Sequence, residues 1–439
     1  MNVAKWGGLS NDDVEQCFAG AGESDVQLNT RAIERRTFLK ALSAQAAAGG
    51  ALAGLVWRPA VGAADAITAD RLIAGKDRRL IVHGAEPLEI ETPVALLREH
   101  QLTPKQILFV RNNQDLANTQ QLGPLPPEGW SIELAGLVEF PRVISARDLA
   151  EMEHVSHEIV LQCSGNGRAL FAPVAPVKGS PWSRGAMGNV QFSGVRLSTL
   201  LDKAQCHVDA RARFLTAEGR DAPLSADKAD FEHSIPLDDA LARSFLALSM
   251  NGEPIPALHG GPVRLITPGY YGTMNVKWVT RLRFESDETY NHNQLKRYRT
   301  PLSPIQPGQA FDYTLTNSEP NWRMRTKSVL FAPLDGERLK AGKFEAYGVA
   351  FNDGSAAIES VLLSTDGGAT WSRAQLEAPS GPYAWYWWRA ALDLPRGEHT
   401  ILARAVDALG RSQPLDPAAQ WNPDGYAFSG ADRVSVHVG

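Results

Sequence analysis

Cysteine is scarce: three residues in 439, at positions 17, 163 and 206. That excludes a small scaffold stapled by disulfides. No excess of positive charge exists either, with 44 Lys and Arg against 49 Asp and Glu and a formal charge of −5. Composition therefore supplies no general attraction for nucleic acid or an anionic membrane surface. Beyond residue 57 no apolar run is long enough to suggest a membrane span, and neither an internal repeat nor a low-complexity segment occurs. There is no Cys-x-x-Cys-His, so no covalently attached haem is encoded. What is present is ordinary globular material: 44% apolar and 8% aromatic residues, enough for sizeable cores. The length predicts two or three domains. The 38 Gly and 28 Pro favour many turns and hence β-rich structure.

The first sixty residues read as an address. Arg35-Arg36-Thr-Phe-Leu-Lys40 precedes an uncharged Ala- and Gly-rich run over 41–57, then Arg58-Pro59 and small residues over 60–64. A charged segment, a short apolar stretch and small residues at a cut site make an export signal. The paired arginines resemble the twin-arginine type; an amphipathic helix with a chance Arg pair is the other reading. Twin-arginine export carries folded proteins, often already loaded with a cofactor, so the signal points to a cofactor enzyme in the periplasm. Residues 1–64 are set aside from the fold.

From about 65 to 300 the pattern mixes short helices and strands. Strands are predicted near 79–82, 106–110, 157–162, 210–218, 245–250, 262–267 and 276–284, with a strand pair over 130–140. Helices are predicted over 145–151, capped by Ser145, and over 197–204 and 237–244. After an irregular stretch, residues 301–439 carry six short β runs separated by Gly, Pro, Asn and Asp turns, and six of the 11 Trp lie beyond residue 320. The fold class is therefore α+β: a mixed α/β domain followed by an immunoglobulin-like β-sandwich.

Chemistry concentrates at Cys163. An apolar strand over 159–162 runs into Cys163-Ser-Gly-Asn-Gly-Arg168, a polar turn whose two glycines let a ligand approach the backbone. A thiol at a strand end, with Arg168 five residues on, is placed to be a thiolate and a soft metal ligand. A buried packing thiol is the alternative. Cys206, at the end of a predicted helix, reads as an inert thiol.

Four segments, in order, resemble the sulfite oxidase family of molybdopterin enzymes. Cys163-Ser-Gly-Asn-Gly-Arg168 is similar to that family's Cys-x-Gly-Asn-x-Arg signature, and Phe109-Val-Arg111-Asn112 to its Phe-x-Arg-Asn segment. His259-Gly-Gly-Pro-Val-Arg264, Pro268-Gly269 and Val276-Lys277-Trp278 resemble its His-Gly-x-Pro-Val-Arg…Pro-Gly…Val-Lys-Trp block. Ser364-Thr-Asp-Gly-Gly-Ala-Thr-Trp371 looks like a hairpin of its dimerisation domain. The resemblance spans about residues 75–439.

What it implies is a molybdenum–molybdopterin cofactor with Cys163 as the protein's metal ligand. Asn112, His259, Arg264 and Lys277 would contact the cofactor, and Arg111 and Arg168 would bind the substrate anion, a task suited to guanidinium forks. Trp182 would line the pocket. Arg389, in the run Trp385-Tyr-Trp-Trp-Arg389, stands near where the family brings an Arg from its β-domain, with a register uncertain by one residue. The implied activity is oxidation of sulfite to sulfate, with electrons leaving to a c-type cytochrome, in a homodimer. Two departures stand out. Asn113 occupies the place of a His, and Leu248 falls where a pocket Tyr is expected, two residues before Met250-Asn251-Gly252. These keep open a related enzyme acting on another small S- or N-oxo substrate, a sulfane or a sulfoxide. A cofactor-free binding protein on the same scaffold is the reading from another class.

Overall fold

The computed structural model describes residues 75–85, 87–114, 127–221, 223 and 230–439. The export signal lies outside these residues. In the first half, β1 (Ile81–Ala85), β2 (Leu88–Glu91) and β3 (Val110–Arg111) form a small antiparallel sheet. A five-stranded sheet runs β5 (Arg142–Ser145), β4 (Ser131–Gly136), β13 (Val279–Glu285), β8 (Phe214–Gly219) and β9 (Glu232–Pro236); its β4–β13 pair is parallel. A second joins β6 (Val155–Gln162), β7 (Met187–Arg196), β10 (Phe245–Met250) and β11 (Glu253–Pro254), with β12 (Arg264–Ile266) also on β10.

Local sequence explains much of this. Ser145 caps the helix Ala146–Glu151: its Oγ accepts from the Asp148 amide at 3.0 Å, and Asp148 Oδ2 accepts from the Ser145 amide at 3.1 Å. Such a reciprocal cap is worth about 1 kcal/mol. The helix Leu197–Lys203 buries Leu197, Leu200 and Leu201, one stripe at helical spacing, against the core of Trp130, Leu134, Leu215 and Phe284.

Three expectations need correction. The strand pair over 130–140 is the single strand β4, ended at Gly136 (φ +83°), where a Cβ would lie 2.4 Å from the Phe284 carbonyl oxygen. The strand over 106–110 shrinks to β3, because a turn after Pro104 takes the Ile107 and Leu108 amides. Strands β7 and β9 have no counterpart in the sequence reading. β7 is buried on both faces over most of its length, so it lacks the period-two alternation that marks a half-buried strand.

The chain continues through β14 (Arg299–Pro301) and β15 (Ser318–Pro320), a two-stranded pair, into the sandwich. One sandwich sheet runs β16 (Lys327–Ala332), β18 (Gly342–Phe351), β22 (Tyr386–Leu394) and β21 (Gln375–Leu376). The other runs β17 (Glu337–Leu339), β24 (Asp432–Val438), β23 (Gly397–Asp407), β19 (Ile358–Ser364) and β20 (Ser372–Arg373). Trp388, Val361, Ile401 and Val434 are fully buried between the sheets, as alternation along each strand requires. The α+β class and the β-sandwich match the expectation. Among the described residues no helix is long and apolar enough to cross a membrane.

Candidate active site around Cys163

Cys163 follows the last residue of β6, its amide tied to the Ala186 carbonyl at 2.9 Å. The Sγ accepts from the Gly165 amide at 3.4 Å. Burial pushes the thiol pKa up, opposed by the charges of Arg111 and Arg168. Both cysteines among the described residues are free and buried. Cys163 faces two adjoining cavities; Cys206 sits in the hydrophobic core.

The inner cavity has an apolar lining of Phe109, Leu161, Phe231 and Trp278. It brings together Cys163, Arg111, Asn112, His259, Arg264 and Lys277, residues drawn from five separate segments. Lys277 Nζ donates to Asn112 Oδ1 at 2.7 Å, to the Leu258 carbonyl at 2.9 Å and to the Arg111 carbonyl at 3.2 Å. Its N–H groups are thus engaged, and it offers a bound anion charge rather than a free donor. Arg264 donates from Nε to the Asn275 carbonyl and from Nη1 to the His259 carbonyl. His259 Nε2 lies 2.7 Å from Lys76 Nζ, a neighbour the sequence reading missed. Burial lowers the pKa of four of these cations: Lys76 to about 7, Arg264 to about 9, His259 and Lys277 well below their ordinary values. One carboxylate, Asp221, lines the cavity, and burial lifts it to about 7.

These residues fit a pterin-borne metal. Asn112 Nδ2 is buried without a partner, a donor waiting for an acceptor. The cationic excess suits a phosphate-bearing ligand. Among the described residues no group of three or more His, Cys, Asp or Glu could hold a metal. A metal on Cys163 would therefore take its other ligands from a cofactor.

The outer cavity opens beside Cys163 and is lined by Arg111, Arg168, Trp182, Tyr298 and Tyr426, with the carboxylates Glu89, Asp312 and Asp424. Arg168 is held rigidly. Its Nε donates to the Asp424 carbonyl at 2.7 Å and Nη1 to the Ser180 carbonyl at 3.0 Å, while its guanidinium carbon stands 5.1 Å from the Tyr426 ring centre. A Cβ on Gly165 or Gly179 would lie 2.8 or 2.7 Å from that guanidinium. The glycines of the Cys163 turn thus serve a different purpose from the one the sequence suggested. Gly165 admits the Arg168 side chain, and Gly167 (φ +93°) admits Phe428, 2.6 Å from where a Cβ would be. Trp182 is fully buried with its indole nitrogen unpartnered.

Two readings are overturned here. Arg389 does not reach the site. It lies on the outer face of β22, beside fully buried Trp388, and pairs with Glu345 at 2.9 Å and Glu377 at 3.0 Å. A register shift of one residue reverses the face of a strand. The sandwich contributes instead through the loop before β24: Tyr426 stacks on Tyr298 with ring centres 5.1 Å apart, and the Ala427 amide donates to the Ser164 carbonyl at 2.7 Å. Nor does the pocket lack a phenol. Leu248 packs against the first-domain core, while Tyr298 lines both cavities, donating to Asn113 Oδ1 at 2.6 Å and standing 3.3 Å from Arg111 Nη2. No local signal marked Tyr298, Glu89, Asp424 or Lys76; each is remote in sequence from the Cys163 turn.

Known protein families resemble this chain over both of its halves. Residues 120–293 match the oxidoreductase molybdopterin binding domain, and 318–438 the Mo-co oxidoreductase dimerisation domain. Mitochondrial sulfite oxidase of Homo sapiens is 32% identical over 373 residues, covering 82% of this chain and 66% of that protein. The chain thus spans just under two thirds of the human enzyme's length. Sulfite oxidase of Arabidopsis thaliana is 27% identical over 384 residues, covering 82% of this chain and 94% of that one. Among solved structures, the sulfane dehydrogenase SoxCD of Paracoccus pantotrophus superposes with a TM-score of 0.68 at 25% identity, covering 83% of this chain and 90% of that one.

Proposed function

Because the chain belongs to the sulfite oxidase family of molybdenum–molybdopterin oxidoreductases, we propose that it is a periplasmic sulfite dehydrogenase passing electrons to a c-type cytochrome. The observation that carries the reading is the convergence of Arg111 and Arg168 on the cavity beside the Cys163 thiol. Net, sulfite and water give sulfate, two protons and two electrons. Molybdenum bound on Cys163 would supply the oxygen-atom transfer and the two-electron redox change.

The protein's part is binding, orientation and field. Cys163 is the metal's thiolate ligand. Asn112 Nδ2 and Arg264 donate to the cofactor, and Lys277 and Lys76 hold Asn112 and His259 in place for it. Arg168 Nη2, which has no partner among the described residues, and the Trp182 indole N–H are the donors for the substrate oxyanion. Both are fixed before substrate arrives, so little reorganisation is required of them. Tyr298 closes the pocket between the cavities. The twin-arginine signal delivers the folded, loaded enzyme to the periplasm, and the sandwich domain joins two copies into a homodimer.

Purified protein shown to contain molybdenum should reduce cytochrome c in the presence of sulfite, and Cys163→Ser should abolish the rate. A full molybdenum content with no sulfite-dependent rate would favour the second reading, a substrate such as a sulfane. Asn113 and the carboxylates facing this pocket, together with the resemblance to a sulfane dehydrogenase, support that alternative.

A further inference from the structure

Glu89 sits directly across the sheet from Arg111: the two are Cα partners in the β2–β3 ladder, as close as cross-strand neighbours can be. Glu89 Oε1 lies 3.3 Å from Arg111 Nε, and both side chains are mostly buried. The other carboxylate oxygen, Oε2, accepts from the Ser180 hydroxyl. Arg111 is otherwise engaged too, with Nη1 donating to the Asn112 carbonyl and Nη2 to Asn113 Oδ1 at 2.6 Å. Arg111 and Arg168 are therefore unequal. Arg168 keeps Nη2 without a partner among the described residues and makes no carboxylate contact there. Arg111 already has its counter-ion. Asp312 and Asp424 add two carboxylates to the same lining, and Lys178, Lys296 and Arg297 add three cations.

We propose that Glu89 is a specificity-determining residue that tunes the pocket to singly charged sulfur oxyanions over doubly charged ones. This rests on the reading of the pocket as the substrate site. A fixed carboxylate repels a dianion twice as strongly as a monoanion at the same position, so discrimination follows from charge rather than shape. The favoured substrate is hydrogensulfite, or a sulfur oxyanion whose second charge is masked by a covalent link. Oxidation of hydrogensulfite with water gives sulfate, three protons and two electrons, which the electron carrier removes. The product then carries one more negative charge than the substrate, and the same carboxylate promotes its release.

The test measures equilibrium binding of two tetrahedral anions, sulfate and perchlorate, to the molybdenum-loaded protein by calorimetry. In the unmodified protein sulfate should bind less than about tenfold tighter than perchlorate, because Glu89 offsets part of the preference of the cationic lining for a dianion. Glu89→Gln should raise sulfate affinity about tenfold, a typical size for one close charge, and perchlorate affinity by about threefold or less; Glu89→Asp should restore the original ratio. Sulfate binding with a ratio unmoved by Glu89→Gln would overturn the role of Glu89 and leave the pocket's assignment intact. Absence of binding for either anion in any form would overturn the assignment and the inference together. Should Glu89→Gln fail to fold, the unmodified protein still decides: sulfate bound about tenfold tighter than perchlorate would refute the proposal.

Discussion

In the β-sandwich, buried carboxylates meet partners supplied by the same chain. Asp407 accepts from Thr326 at 2.7 Å, Asn352 at 3.1 Å and Arg411 at 2.7 Å, and Asp353 takes the other arm of Arg411 at 2.9 Å. Burial pushes both carboxyls up, yet these hydrogen bonds outweigh it and hold them below the usual range. Around Cys163 the disposition is reversed. Lys76, Arg264 and Lys277 are buried against carbonyls, an amide and one imidazole, and burial drives their pKa values down. A fold that can pair its charges does so where they serve structure. Where it leaves cations short of anions in a cavity, the missing partner comes from outside. The contrast also runs within the outer pocket, where Arg111 has an internal counter-ion and Arg168 has none among the described residues.

The comparison can be broken by substitution. Arg168→Ala should raise the sulfite KM about a hundredfold while molybdenum content stays near one per chain, since it deletes the donor that awaits the anion. Steady-state kinetics with metal analysis checks it; an unchanged KM would remove Arg168 from substrate binding. Asp407→Ala should do the opposite. It should cost about 2 kcal/mol of stability by leaving Thr326, Asn352 and Arg411 unpaired, and leave the KM alone. Denaturant unfolding beside kinetics separates the two outcomes.

Smaller effects sharpen the contrast. Lys76 has a folded pKa of about 7 against the ordinary 10.5, so between those values the unfolded chain holds a proton that the folded one lacks. Stability of the cofactor-free protein should therefore rise with pH from about 7 to 10.5, and Lys76→Met should flatten the slope. Melting temperatures across that range test the sign. Least of all, Arg389→Ala should change neither sulfite kinetics nor stability by more than about 0.5 kcal/mol, because its ion pairs with Glu345 and Glu377 are surface pairs. A large loss of activity would return Arg389 to the site.

How much of the site was legible follows from the range of the forces involved. The sandwich strands β18 and β23, the Ser145 cap and the amphipathic helix Leu197–Lys203 rest on period and capping, which act over a few residues, and the sequence reading finds them within a residue or two, whereas the run expected over Tyr383–Ala390 is the later strand Tyr386–Leu394. Cys163, Arg111, Asn112, Arg168, Trp182, His259, Arg264 and Lys277 were visible as motifs, and all line the two cavities. Strand β7, buried on both faces, offered no alternation to read.

By itself, then, the sequence determined many of the strands and helices and marked the motif residues that line the two cavities, because propensity, turn residues and motif chemistry are properties of neighbours along the chain. Only the tertiary structure decided which charges meet. Glu89 faces Arg111 because β2 and β3 pair in one register and no other. Tyr298 and Tyr426 reach the pocket from positions far along the chain. Arg389 leaves it because Trp388 takes the inward face of β22. Pairing and facing depend on contacts between residues tens to hundreds of positions apart, and a one-residue step along a strand reverses them.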